Sequence, residues 1–86
     1  MSREQRVYES ARRFLENGRI PTPTLLNRAL GCVSPREWTE MGPYGRARNT
    51  CRAKMNHLNG RETRARTRAL LEFGCTKGAD GRWHLP

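Results

Sequence analysis

The sequence predicts a mostly α-helical fold that closes with a β-hairpin. Apolar residues recur at helical spacing through most of the 86 residues, and Ser, Thr, Pro and Gly stand where helices would begin and end. After Gly74 the spacing changes to alternation, and Asp80-Gly81 is a strong hairpin-turn signal. No linker, internal repeat or low-complexity tract divides the chain, so we expect one domain over residues 1–86.

The first two helices are predicted by residues that cap helix ends. Ser2 is a candidate N-cap for a helix over about residues 3–17, whose apolar residues fall on one face. Thr22 followed by Pro23 is typical of the start of a second, short helix, because proline fits the first helical position. Gly31 predicts the end of that helix.

Three further helices are predicted in the middle of the chain. The Ser-Pro pair at 34–35 predicts a helix of one or two turns, and the Gly-Pro-Tyr-Gly run at 42–45 predicts a break after it. Two longer helices are predicted over about residues 46–58 and 61–73. The Asn-Gly pair at 59–60 predicts the end of the first of them.

The predicted hairpin pairs residues 75–77 with residues 82–84. Trp83 alternates with polar neighbours along its strand, so we expect it to pack on Phe73 and Leu70. The sequence therefore predicts four to five helices followed by one hairpin.

Several classes of function find little support in the sequence. The three cysteines at 32, 51 and 75 form no C-x-x-C pair, which argues against a disulfide framework and against a structural zinc site. The carboxylates form no evident pair, no serine stands in a nucleophile-elbow sequence, and the glycines form no phosphate-binding loop. We therefore expect a protein that is not an enzyme and that uses no metal and no cofactor.

The charge of the chain indicates a polyanionic partner. Lys and Arg number 17 against 8 Asp and Glu, which gives a net charge of +9. Residues 1–43 hold 7 basic and 5 acidic side chains, whereas residues 44–86 hold 10 basic and 3 acidic ones, a net +7. No run approaches the roughly 20 apolar residues of a membrane span. We expect a soluble cytoplasmic protein without a membrane partner, associated with the nucleoid if the cell is bacterial.

A first candidate binding face lies on the predicted helix 61–73. Arg61, Arg64 and Arg68 stand at i, i+3 and i+7 and form a cationic row along the helix. Such a helix suits a DNA major groove, and Lys77 and Arg82 of the following hairpin could reach neighbouring phosphates. The alternative is a solvated helix face supported by an i, i+4 pair between Arg68 and Glu72.

A second candidate face lies on the predicted helix 46–58. Its polar residues include the types that read bases, because Arg bonds to guanine and Asn to adenine in bidentate fashion. They lie opposite the apolar face of that helix and are Arg48, Asn49, Arg52 and Asn56.

The order of elements resembles the winged helix-turn-helix family of DNA-binding domains. Residues 23–31, 68–74 and 80–86 are similar to its scaffold helix, the end of its recognition helix and its wing. The resemblance implies a winged fold and DNA binding. The chain departs from the family at residues 31–60, where a tight turn normally joins the two helices. Either helix 61–73 or helix 46–58 could therefore be the recognition helix.

Together these observations predict a sequence-recognising protein that binds double-stranded DNA. Its size is typical of small transcriptional regulators, excision factors and phage-encoded control proteins. The alternative is a small basic adaptor or inhibitor that binds an acidic host protein or structured RNA, with Trp38 and Tyr44 as exposed anchors.

Overall fold

The computed structural model describes residues 2–48 and 57–86, which form five helices and one two-stranded antiparallel sheet. In chain order the elements are α1 (Arg3–Glu16), α2 (Pro23–Ala29), α3 (Pro35–Glu40), α4 (Pro43–Arg48), α5 (Gly60–Phe73), β1 (Thr76–Lys77) and β2 (Trp83–His84). The prediction of a mostly helical fold with a C-terminal hairpin is confirmed.

The first helix begins and ends close to its predicted bounds. Ser2 is the N-cap, and its Oγ accepts a hydrogen bond of 3.1 Å from the backbone N–H of Gln5. Asn17 is the C-cap, and Gly18 after it has φ of +74°, a left-handed conformation that glycine adopts without strain. The predicted helix over residues 3–17 is therefore confirmed.

The centre of the fold is the contact between α1 and α5. The buried side chains of α1, Val7, Ala11 and Leu15, lie on one face, and the alanines of α5 let the two helices approach closely. The other buried apolar side chains of this core are Leu26 in α2, Leu30 at its C-cap, Leu58, Ala65, Ala69, Leu70 and Cys75. Most of the core therefore joins the first helix to the last.

The two short helices α2 and α3 begin as predicted. Thr22 Oγ1 accepts from Leu25 N–H at 3.2 Å, and Ser34 Oγ accepts from Glu37 N–H at 3.1 Å. Each cap precedes a proline at the first helical position, where a backbone donor is not needed.

The structure corrects the predictions for residues 42–60. α4 begins at Pro43, inside the run that predicted a break. Arg46 accounts for this helix, because its guanidinium donates to the carbonyls of Trp38 and Thr39 at 3.0 and 2.9 Å and ties α4 to α3. Of the predicted helix 46–58, residues 46–48 belong to α4, residues 57 and 58 are not helical, and residues 49–56 lie outside the described part.

Asn59 begins a helix and does not end one. Its side-chain oxygen accepts from Glu62 N–H at 2.8 Å, and Glu62 Oε1 accepts from Asn59 N–H at 3.0 Å. This reciprocal capping box satisfies two donors at the start of α5. The prediction that the Asn-Gly pair stops a helix is wrong, because the same residue types also favour the N-cap position.

The hairpin follows α5 after a sharp reversal at Gly74, where φ is +98°. Thr76 pairs with His84 and Lys77 with Trp83. In the turn Gly81 has φ of +77°, which confirms the Asp-Gly signal. Trp83 is partly buried against the core, so its predicted packing role is confirmed.

The two described cysteines differ in state. Cys32 is disulfide-bonded, so the prediction against disulfides is wrong for this residue. Cys75 is a buried free thiol, and burial raises its pKa. Within the described ranges no three His, Cys, Asp or Glu side chains are grouped so that they could hold a metal ion. In the same ranges every helix is too short or too polar to cross a bilayer.

Candidate nucleic-acid interface

The structure places the predicted arginine row on the exposed part of α5. Arg61, Arg64 and Arg68 lie within one helix of fourteen residues, and all three side chains are exposed. The buried side of the same helix is formed by Glu62, Ala65, Ala69 and Leu70. The helix therefore separates its arginines from its core side chains, as the helical spacing predicted.

Arg61 is paired across the groove between the two long helices. Its Nη1 lies 3.6 Å from Glu4 Oε1 of α1, and its side chain remains 76% exposed. An ion pair this open to water contributes little to stability, because solvent screens the attraction. Arg61 is thus oriented by Glu4 without being buried by it.

Arg68 is held by an aromatic ring and a carboxylate. Its Cζ lies 4.3 Å from the centre of the Tyr8 ring, and its Nε lies 3.9 Å from Glu72 Oε1. Tyr8 also donates a 2.6 Å hydrogen bond to Glu72 Oε2, and this bond raises the pKa of the Tyr8 hydroxyl. The i, i+4 pair predicted for Arg68 and Glu72 is present, so part of the charge of Arg68 is compensated.

Arg64 lies between these two arginines in sequence and has a different environment. Among the described residues none forms an ion pair with it. Its Nη1 lies near Gly60, 3.8 Å from the position that a Cβ on that glycine would occupy. Of the three arginines in the row, Arg64 is the one whose charge no described carboxylate compensates.

The three arginines line an open polar groove of about 530 Å³ between α1 and α5. Its other lining residues are Ser2, Glu4, Gln5, Tyr8, Glu9 and Ala65. Carboxylates of α1 thus face the arginines of α5. The groove therefore has a basic wall on α5 and an acidic wall on α1.

Arg66 faces away from this groove. Its Nε donates a 2.6 Å hydrogen bond to the carbonyl of Pro21, and burial lowers the pKa of its guanidinium. Arg66 therefore fastens α5 to the connection between α1 and α2, and it is not part of the candidate interface.

The hairpin presents the two other cations of the first candidate face. Lys77 and Arg82 are exposed, and Lys77 Nζ lies 6.0 Å from the centre of the Trp83 ring. In the turn Asp80 Oδ1 accepts from Arg82 N–H at 3.0 Å and lies 3.3 Å from His84 Nε2. These contacts lower the pKa of Asp80, the Arg82 amide having the larger effect. The Asp80 carboxylate thus interacts with groups of its own hairpin.

A buried polar network lies behind the arginine row, and sequence reasoning missed it. Arg3 Nε donates a hydrogen bond to Glu62 Oε2, and Arg3 Nη2 donates one to Asn27 Oδ1 at 3.0 Å. Asn27 Nδ2 in turn donates to the carbonyl of His57 at 2.8 Å. The network connects α1, α2 and the start of α5, so it fixes where the arginine row begins.

The signals for this network were present but ambiguous. Asn27 interrupts the apolar residues of α2, and Glu62 stands three residues after Asn59, the position of a capping-box carboxylate. Neither pattern reveals that both side chains are buried, which the structure establishes.

The second candidate face is not assembled by the described residues. Arg48 ends α4, and its side chain, together with Asn49, Arg52 and Asn56, lies outside the described part of the chain. Of the two predicted aromatic anchors, Tyr44 on α4 is 87% exposed, whereas Trp38 on α3 is partly buried.

Comparisons of the chain with family models, with curated proteins and with solved structures gave no match.

Proposed function

We propose that the protein binds double-stranded DNA in a sequence-recognising way, as a winged helix-turn-helix domain. In this proposal α5 lies in the major groove, and Lys77 and Arg82 of the hairpin contact the flanking phosphates. The role would be that of a small transcriptional regulator or a phage-type control or excision factor, acting by occupancy of its site.

The observation that carries the proposal is the arrangement of α5 and the hairpin. A fourteen-residue helix about 21 Å long exposes three arginines, and a hairpin with two exposed cations begins three residues after it. A major groove about 12 Å wide admits one helix of this kind. The capping box and the contact of Arg66 with Pro21 hold that helix rigidly, which base reading requires.

The charge supports the same partner. The net charge of +9 favours a polyanion, and arginine, with its planar fork of donors, suits both phosphates and guanine edges. The ion pairs of Arg61 and Arg68 leave both side chains exposed, so they can exchange a carboxylate for a phosphate.

The primary test is the salt dependence of binding to duplex DNA. If 6 to 10 phosphates are contacted, the affinity should fall about 10³ to 10⁵-fold between 50 and 200 mM salt. Fluorescence anisotropy with a labelled duplex measures this slope. An affinity that does not change with salt contradicts the proposal.

A second test decides which helix reads bases. With α5 in the groove, Arg64→Ala and Arg68→Ala should each weaken binding more than Asn49→Ala and Asn56→Ala, and part of the Arg64→Ala loss should depend on the DNA sequence. If residues 46–58 read the bases, the order reverses, and the Asn substitutions relax specificity. Equal losses for every DNA sequence from all four variants would contradict base reading by either segment.

One observation favours a second function, that of an adaptor or inhibitor that binds an acidic protein or structured RNA. Tyr44 is the most exposed large apolar side chain among the described residues. An aromatic ring in this state is a typical anchor of an interface. Tyr44→Ala should leave duplex binding unchanged under the first proposal, and should abolish capture of the partner under the second.

A further inference from the structure

A stripe on the outermost side of α5 differs from the rest of the helix. Arg64, Thr67 and Leu71 stand at i, i+3 and i+7, and at about 100° per residue they fall within about 60° of one another. They lie opposite the buried Ala65 and Ala69. We call these three residues the outer stripe.

The outer stripe contains an apolar side chain that the core does not use. Leu71 is 59% exposed, although its neighbour Leu70 is fully buried. Thr67 is partly exposed, and Arg64 is exposed. The outer stripe therefore has one exposed apolar position, Leu71, and one exposed cationic position, Arg64.

The flanking arginines Arg61 and Arg68 differ from Arg64 in their ion pairs. Arg61 is paired with Glu4, and Arg68 is held by Tyr8 and Glu72, so both lean toward α1. Arg64 has no ion-pair partner among the described residues. Within the described part of the chain, the row of Arg61, Arg64 and Arg68 therefore contains paired and unpaired arginines, which suit two kinds of contact.

The chemistry of the outer stripe matches base edges in the major groove. Guanine offers two acceptors to an arginine fork, thymine offers a methyl group to an apolar side chain, and threonine can contact either kind of edge. Seven residues of helix span about 10 Å, and base pairs are spaced about 3.4 Å apart. The two ends of the outer stripe are thus separated by about three base pairs.

We propose that the outer stripe is the specificity-determining surface, with Arg64 on a guanine and Leu71 on the methyl group of a thymine about three base pairs away. Arg61 and Arg68 then contact phosphates at the groove edges. This inference rests on the proposed function, because it names the bases that the same helix reads.

Charge favours DNA over a second copy of the chain as the occupant. Two copies that met through Leu71 would bring two sets of Arg61, Arg64 and Arg68 together, and like charges would repel. The same three cations attract a duplex. Leu71 therefore lies beside cations that attract a duplex, and the thymine methyl groups of that duplex are apolar.

The test uses a duplex selected from a randomised pool with the full chain, in which each thymine is then replaced by deoxyuridine. Deoxyuridine lacks only the methyl group. For the unmodified protein, deoxyuridine at one thymine position should weaken binding about fourfold, the factor expected for one buried methyl group. For Leu71→Ala the same replacement should have no effect.

Two matched variants complete the design. Leu85→Ala removes the other strongly exposed leucine, which is 40% exposed and lies after β2, and should keep the fourfold methyl effect. Arg64→Ala should keep the methyl effect as well but lose its preference for guanine about 10 to 100-fold. Leu71→Ala should keep the thermal midpoint, because the side chain is largely exposed.

The outcomes separate this inference from the proposed function. Failure of any duplex to bind overturns both. Two results would overturn the role of the outer stripe and leave the proposed function standing. In the first, the duplex binds specifically but no deoxyuridine replacement changes its affinity. In the second, Leu71→Ala loses as much affinity on that replacement as the unmodified protein does. A dimer in sedimentation that Leu71→Ala converts to a monomer would assign the leucine to a second copy and would also overturn that role.

Discussion

Two ion pairs join the first turn of α1 to the first turn of α5, and they differ in depth. Arg3 and Glu62 meet on the inner side, where the Glu62 side chain is 5% exposed and belongs to the buried network. Glu4 and Arg61 meet on the outer side, where Glu4 is 46% exposed. Adjacent residues on each helix thus form pairs with different roles, because burial determines what the loss of one partner costs. We expect the inner pair to support the fold and the outer pair to tune binding.

The largest expected effect is that of removing the inner carboxylate. Glu62→Ala leaves Arg3 without its charged partner and also removes half of the capping box at Asn59. We expect the free energy of unfolding to fall by about 3 kcal/mol, measured by urea denaturation. Glu4→Ala is the matched control and should lower it by less than about 1 kcal/mol. Similar losses of unfolding free energy in both variants would show that the burial of an ion pair does not determine its contribution to stability.

A smaller loss is expected from the amide of the inner network. Asn27→Ala leaves the carbonyl of His57 and a donor of Arg3 without the partner they have in the structure. We expect a loss of about 2 kcal/mol in unfolding free energy, because two hydrogen bonds are lost and each contributes about 1 kcal/mol. The exposed Asn17, at the end of α1, provides a control, and Asn17→Ala should have a smaller effect. A stability unchanged in Asn27→Ala would contradict the structural role of the network.

The outer pair should affect binding more than stability. Glu4→Gln removes the carboxylate that competes with phosphate for Arg61. Duplex affinity should rise by about two- to fivefold at low salt, corresponding to the roughly 0.3 to 1 kcal/mol of an exposed pair, and the gain should diminish at high salt. Anisotropy titrations of both proteins at two salt concentrations measure this gain. An affinity that falls in Glu4→Gln would show that Glu4 helps binding by orienting Arg61.

The smallest effect is expected in the hairpin turn, where the Asp80 carboxylate contacts the Arg82 amide and the His84 ring. These contacts favour the charged form, so the folded pKa of Asp80 lies below its usual 3.8. The stability they contribute is present above that value and is lost as the pH falls through the folded pKa. An NMR titration of the carboxyl carbon should give a midpoint below that of Asp80 in an unfolded peptide. Equal midpoints would contradict the turn contacts.

Much of the fold could be predicted because its elements carry local signals. Ser2, Thr22 and Ser34 cap helices where the sequence predicts them, and the Asp-Gly turn predicts the hairpin. α4 could not be predicted from Pro43 and its neighbours, because its contact with α3 depends on Arg46, which reaches carbonyls seven and eight residues earlier. Local propensity is a weak guide where a tertiary contact of this kind decides the outcome.

Part of the candidate site could also be predicted from local signals, and part of it depends on tertiary contacts. The row of Arg61, Arg64 and Arg68 follows from helical spacing, since three residues on one helix need no tertiary information. Glu72, the partner of Arg68 at i+4, follows from the same spacing. The other partners, Glu4 and Tyr8, come from α1, more than fifty residues earlier in the chain, and spacing within α5 carries no trace of them. No sequence-based prediction covers Leu71, which the structure shows to be 59% exposed beside the fully buried Leu70.

The contact between α1 and α5 also has a consequence for how the chain acquires its structure during synthesis. The buried face of α1 is covered mainly by residues 60–73, so Val7, Ala11 and Leu15 stay uncovered until those residues have left the ribosome. An isolated helix of fourteen residues is marginal in water. α1, which is translated before α5, therefore becomes stable only after α5 has been made. A nascent chain released before α5 is complete exposes an apolar helix face to chaperones and proteases.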